Sequence, residues 1–114
     1  MDAEALADMF AAFGPIRVRP MFGGQGIYAD GLMFALVAFD DVYLKTDVDL
    51  ARRLEAEGAR PFVYEARGRT ISMGYWTLPT ERIDDPEAVA EVARLALGVA
   101  RRAAEAKPVK KRGL

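Results

Sequence analysis

Two adjacent residues, Asp30 and Gly31, limit the folds open to this sequence more than any others. An Asp-Gly pair accepts the two positive φ angles of a type I′ turn, which makes it the strongest short hairpin signal in the chain. Ile27-Tyr28 precede it, and Leu32 to Phe39 follow as a wholly apolar run that reads as a buried strand. Strands joined by so tight a turn pair antiparallel. A second turn at Asp40-Asp41 returns the chain through Val42-Tyr43-Leu44-Lys45. Upstream, Ile16-Arg17-Val18-Arg19 alternates apolar and basic residues, the period of a half-exposed strand. Gly23, Gly24 and Gly26 interrupt the pattern before Ile27 resumes it. An antiparallel meander of three or four strands is predicted.

The flanking segments change period. Leu6, Met9, Phe10 and Phe13 are spaced i, i+3, i+4, i+7, which predicts a helix from Asp2 or Ala3 to Gly14-Pro15. Asp47 or Asp49 caps a second helix with Leu50 and Leu54 inward, closed by Gly58. Phe62 to Glu65 and Thr70 to Leu78 form a hairpin around Gly68. In it, Ile71, Met73 and Tyr75 are expected on one face, and Ser72, Gly74 and Trp76 on the other. Asp85 at the N-cap and Pro86 at the first helical position open a last helix, with Val89, Val92, Ala96 and Val99 on one face to about Ala104. The order is helix, meander, helix, hairpin, helix. With every strand connection short, the expected fold is α+β, a two-layer antiparallel sheet covered by helices.

Residues 1–106 read as one domain and 107–114 as a basic, frayed tail, with no second domain. Hydrophobic residues make up 52% of the 114, enough for one core. No apolar run is long enough to span a membrane. The acidic start MDAEALADMF lacks the basic region of a secretory signal, and there is no cysteine, so a cytoplasmic location is expected. The net charge of −1 is unevenly spread. Positions 101–114 hold six bases and one acid, leaving ten bases and 16 acids in residues 1–100. An acidic body is a poor match for a phosphate backbone.

The chain contains no histidine, no cysteine, no asparagine and a single serine, Ser72. That removes Ser-His-Asp and Cys-His nucleophiles, Cys/His zinc sites and haem or iron–sulfur ligation through those residues. Carboxylates remain, but Asp30, Asp40, Asp41, Asp47 and Asp85 fall where turns and caps need them. No catalytic, cofactor-binding or metal-binding residue is assigned. Gly24-Gln25-Gly26-Ile27-Tyr28-Ala29 fits the loose dinucleotide fingerprint, yet the hairpin turn leaves no room for the helix that motif must open. A bulge or kink that lets strands or a helix approach closely is expected there instead. Arg17 and Arg19 share a strand face, which is either solvated or part of a binding patch. With Phe22, Gly23, Gly24 and Tyr28 they form the candidate interaction surface. Lys107, Lys110, Lys111 and Arg112 are candidate tail contacts to nucleic acid or an acidic partner. No aromatic residue lies between them for base stacking, so direct nucleic-acid binding is disfavoured.

A longer string carries a resemblance. It runs Met21-Phe22-Gly23-Gly24-x-Gly26-Ile27-Tyr28, Asp30-Gly31-x-Met33-Phe34-Ala35-Leu36-Val37, then Tyr43-Leu44-Lys45-x-Asp47 and Gly58-x-x-Pro61-Phe62-x-Tyr64. Met73-x-Tyr75, and Leu78-Pro79 ahead of Asp84-Asp85-Pro86-Glu87, complete it. Over roughly residues 5–104 the chain resembles the N-terminal domain of the TfoX (Sxy) competence-regulator family. The resemblance implies a secretion-chaperone-like α+β fold. Full-length members add a second, C-terminal domain and promote expression of DNA-uptake genes with the cyclic-AMP receptor protein; this chain resembles the stand-alone members. It further implies a non-catalytic regulatory module with a protein partner, and admits a homodimer. The alternative from the residues themselves is a small-molecule-binding domain or carboxylate-dependent enzyme, with a pocket between sheet and helices.

Overall fold

The computed structural model describes residues 1–21 and 23–106, with the backbone alone at 66 and 70–73. In order, the elements are α1 (Ala3–Met9), β1 (Arg17–Met21), β2 (Gly24–Ala29), β3 (Leu32–Ala38), β4 (Asp41–Lys45), α2 (Val48–Ala56), β5 (Pro61–Ala66), β6 (Arg69–Thr77) and α3 (Pro86–Ala106), with a 3-10 turn at Thr80–Arg82 before α3. The strands form one open antiparallel sheet in the order β1-β2-β3-β4-β6-β5. The first four strands are the meander expected from the turns. Asp30 and Gly31 both take positive φ, 53° and 76°, as the type I′ turn requires.

The caps explain the helix starts. Asp2 Oδ1 accepts from the Ala5 amide at 2.7 Å, and Asp47 Oδ1 from the Leu50 amide at 2.9 Å. Asp85 Oδ1 accepts from the Glu87 and Ala88 amides at 3.1 and 3.3 Å. α1 stops at Met9, short of the Gly14 expected from the apolar spacing. Gly14 nevertheless closes the segment, donating its amide to Phe10 O at 3.0 Å with φ 128°. Phe13 therefore reaches the core from a turn, its ring 4.9 Å from that of Phe34.

All three helices cover one face of the sheet. Ile27, Phe34, Val37, Val42 and Leu44 meet Leu6, Phe10, Leu50, Leu54, Val89, Val92, Ala96 and Val99 in one core. Each fully buried Val, Leu, Ile or Phe among them contributes about 1.5–3 kcal/mol. Phe39 departs from the expected buried strand. It has positive φ, 54°, and is 74% exposed, because the turn into β4 begins there and not at Asp40. Within β6, Gly74 has φ 72°, and the pairing with β5 shifts between Pro61/Trp76 and Val63/Ser72. Tyr75 and Trp76 face opposite sides as expected, Trp76 toward the helices.

Arg82 ties the 3-10 turn to α2 and α3. Its guanidinium donates to both Glu57 carboxylate oxygens at 2.7 and 2.8 Å, to Glu91 Oε1 at 2.8 Å and to Ala88 O at 2.7 Å. Arg53 holds the other Glu91 oxygen at 2.7 Å. The hydrogen bonds from Arg82 keep the Glu57 and Glu91 carboxyls below their usual range.

Candidate interaction surface

The second face of the sheet has no helix against it among the described residues. Strand alternation dictates its composition. On β1, Val18 turns toward the core, so Arg17, Arg19 and Met21 turn away. On β2, Ile27 is in the core, and Gly26 and Tyr28 lie on the open side. Met33, Leu36 and Ala38 of β3, Tyr43 of β4, Tyr75 of β6 and Phe62 of β5 form a separate apolar cluster there. Leu36, Tyr43 and Tyr75 are buried at 6%, 5% and 6% exposure, packed among the strand residues Met33, Ala38 and Phe62.

Gly26 shapes this face. A β-carbon on it would stand 2.9 Å from Met33 Sδ, 3.0 Å from Tyr28 Cε1 and 3.2 Å from Met21 Sδ. The two thioethers and the phenol ring thus lie across bare backbone. Gly24 has a different constraint: a β-carbon there would fall 2.0 Å from the Val37 carbonyl oxygen of β3. The glycine-rich segment is a strand that approaches its neighbour closely, with a pairing irregularity at Ile27/Tyr28, and not the start of a nucleotide-binding helix.

Cations frame the aromatic floor. The Arg19 guanidinium sits 5.6 Å from the centre of the Tyr28 ring, and Lys45 Nζ sits 5.2 Å from the centre of Tyr75. Among the described residues, Arg17, Arg19 and Lys45 are in no ion pair, whereas Arg53, Arg60, Arg82, Arg101 and Arg102 each hold a carboxylate. Burial, then the neighbouring Tyr28, pushes the Tyr75 phenol above its usual pKa. Burial, then Asp41, does the same for Tyr43. Both phenols stay neutral, so near neutral pH the face carries positive charge over apolar and hydroxyl groups.

Of the residues read from sequence, Arg17, Arg19 and Tyr28 come together here, and Arg17 and Tyr28 also line a surface groove of about 450 Å³ beside the Asp30-Gly31 turn. Gly23 is an exposed turn residue with φ 67°, and Gly24 backs onto β3. Phe22, Lys107, Lys110, Lys111 and Arg112 lie outside the described residues. Sequence reasoning missed Met21, Met33, Tyr43, Lys45 and Tyr75. Period-two spacing links Tyr43 to Lys45 and Arg19 to Met21. Joining the two pairs needs the β4–β6 register, in which Lys45 stands opposite Tyr75.

Four of the five carboxylates singled out earlier, Asp30, Asp41, Asp47 and Asp85, are occupied. Asp47 and Asp85 cap helices, and Asp47 also pairs with Arg102 at 3.2 Å. Asp41 pairs with Arg60 at 3.3 Å and Asp30 with Arg101. Asp40 takes positive φ, 64°, in its turn. A further groove of about 410 Å³ opens at the surface between α2 and α3, lined by Asp47, Asp49, Arg53, Arg94 and Arg102. No helix among the described residues is long and apolar enough to cross a membrane, and no group of three or more acidic residues there could hold a metal ion.

Together these features define an open-faced α+β domain, with helices on one side of its sheet and a cationic, aromatic surface on the other. A family model, the TfoX N-terminal domain, matches residues 8–100. The chain belongs to that family. No curated protein sequence matches it.

Proposed function

We propose that this chain is a non-catalytic regulatory module that works by binding a protein partner on the open face of its sheet. One observation carries the reading: Arg19 and Lys45 lie over tyrosine rings, and among the described residues they have no ion-pair partner and no helix covers their face. Arginine and tyrosine over an apolar floor are the residue types that concentrate binding energy at protein interfaces. Three unpaired cations favour a partner with an acidic surface. Family membership supports a link to transcriptional control of competence, the uptake of DNA, in the cytoplasm. The pairing or capping roles of Asp30, Asp41, Asp47 and Asp85 and the absence of histidine and cysteine support the non-catalytic part.

The test is affinity capture from native cytosol with wild-type protein and with Arg17→Glu/Arg19→Glu. The charge reversal should remove the specific partner while leaving the fold intact. An unchanged set of captured proteins would remove the open face from the account.

A further inference from the structure

The two edges of the sheet are protected unequally. β1 carries Pro20, which has no amide to donate, and two exposed arginines, the usual means of blunting an edge strand. β5, at the other edge, has proline only at its first residue and a single charge, Glu65, within Pro61–Ala66. Val63 and Tyr64 are 44% and 41% exposed. The strand also overhangs the body. β6 pairs with β4 only at Tyr75–Thr77, so its residues 69–72 pair with β5 alone. A two-stranded ribbon with exposed apolar side chains is marginal by itself. Next to it, Phe39 is 74% exposed with its ring 6.2 Å from that of Phe62.

We infer that β5 is a self-association edge, pairing antiparallel with β5 of a second copy about a two-fold axis at Val63. The strand is self-complementary in that register. Val63 opposes Val63 on one side of the sheet, and Phe62 opposes Tyr64 twice on the other, the aromatic cross-strand pairing that stabilises sheets. Glu65 opposes Pro61, so no like charges meet. Phe62 packs on Tyr43 with ring centres 5.0 Å apart, so the joined strands continue the open face of each copy into one surface. Packing the open faces against each other is the less favourable dimer, because it brings Arg17, Arg19 and Lys45 of both copies together. The edge pairing leaves the surface proposed above free, and stands or falls apart from it.

Sedimentation of the full chain over a concentration series tests this. Wild type should show a reversible monomer–dimer equilibrium. Val63→Glu and Val63→Lys, each placing like charges on the axis, should each weaken it by about fivefold or more. An equimolar mixture of the two should restore it, because opposite charges then meet. Amide exchange of residues 62–66 in the wild type should slow as concentration rises, a readout independent of any variant's folding. Wild type that stays monomeric, charge variants that dimerise like wild type, a mixture that does not recover, or exchange indifferent to concentration would each overturn the inference.

Discussion

On the covered face of the sheet, Phe34 and Leu44 have no exposed surface and three helices pack against them. On the open face, Arg19 and Lys45 lie over Tyr28 and Tyr75, with no helix above among the described residues. The same strands build both, since successive residues point to opposite sides. What differs is what satisfies each side. The covered side is largely satisfied: its side chains are buried, and Arg53, Arg82, Arg101 and Arg102 around its helices hold carboxylates. The open side carries Arg17, Arg19 and Lys45 with no ion-pair partner among the described residues, two of them over tyrosine rings. A fold that left such a face uncovered only to save material would be expected to make it polar throughout.

The contrast makes stability and binding separable. Phe34→Ala should cost about 3–5 kcal/mol in urea unfolding, because it empties the centre of the helix-side core. Tyr28→Ala on the open face should cost under about 1 kcal/mol. Comparable losses at the two sites would erase the distinction.

Gly24→Ala should cost about 1–3 kcal/mol, since the added carbon meets the Val37 carbonyl backbone, which cannot swing aside. Gly26→Ala should cost less, because the flexible ends of Met33 and Met21 can move. Thermal unfolding of the two variants side by side measures the difference.

Arg82→Met should cost about 2 kcal/mol by leaving Glu57 without its partner. It should also alter the pH profile. Glu57 and Asp47 have folded-state pKa values below their ordinary 4.5 and 3.8, Glu57 through Arg82 and Asp47 through the Leu50 amide. Depressed carboxylates stabilise the fold fully above those ordinary values and lose the contribution as pH falls through the folded ones. Urea midpoints should therefore drop below about pH 4.5, and drop less in Arg82→Met. An unchanged acid dependence in the variant would separate Arg82 from Glu57.

The smallest stability effect belongs to Arg17→Glu/Arg19→Glu, within about 0.5 kcal/mol, although it is the change expected to abolish partner binding.

Turn and cap chemistry made much of this architecture legible. Asp30-Gly31, Asp47 and Asp85-Pro86 each announce a local geometry that needs no tertiary information. The meander and the starts of two helices follow from them. Elements that depend on partners distant in sequence were not legible. The end of α1 is decided by how Phe13 reaches Phe34, and the pairing irregularity in β6 lies at Gly74, in a register shift against β5. The Arg82 cluster joins residues from three segments, and no spacing rule connects Glu57 to Glu91. The surface was half visible for the same reason. Arg17, Arg19 and Tyr28 lie on neighbouring strands of one hairpin, while Lys45 and Tyr75 meet only because β6 returns beside β4. The overhang of β5 depends on that same return.

The most direct measurement of the central claim is titration of the captured partner against four single variants, two on each side of the sheet. Arg19→Ala and Tyr28→Ala should weaken the complex about tenfold or more, as truncated interface anchors do, while Arg52→Ala in α2 and Arg94→Ala in α3 should leave affinity within about twofold. Equal weakening by the helix-side pair, or full affinity in the open-face pair, would contradict the division of the molecule into a supporting face and a binding face.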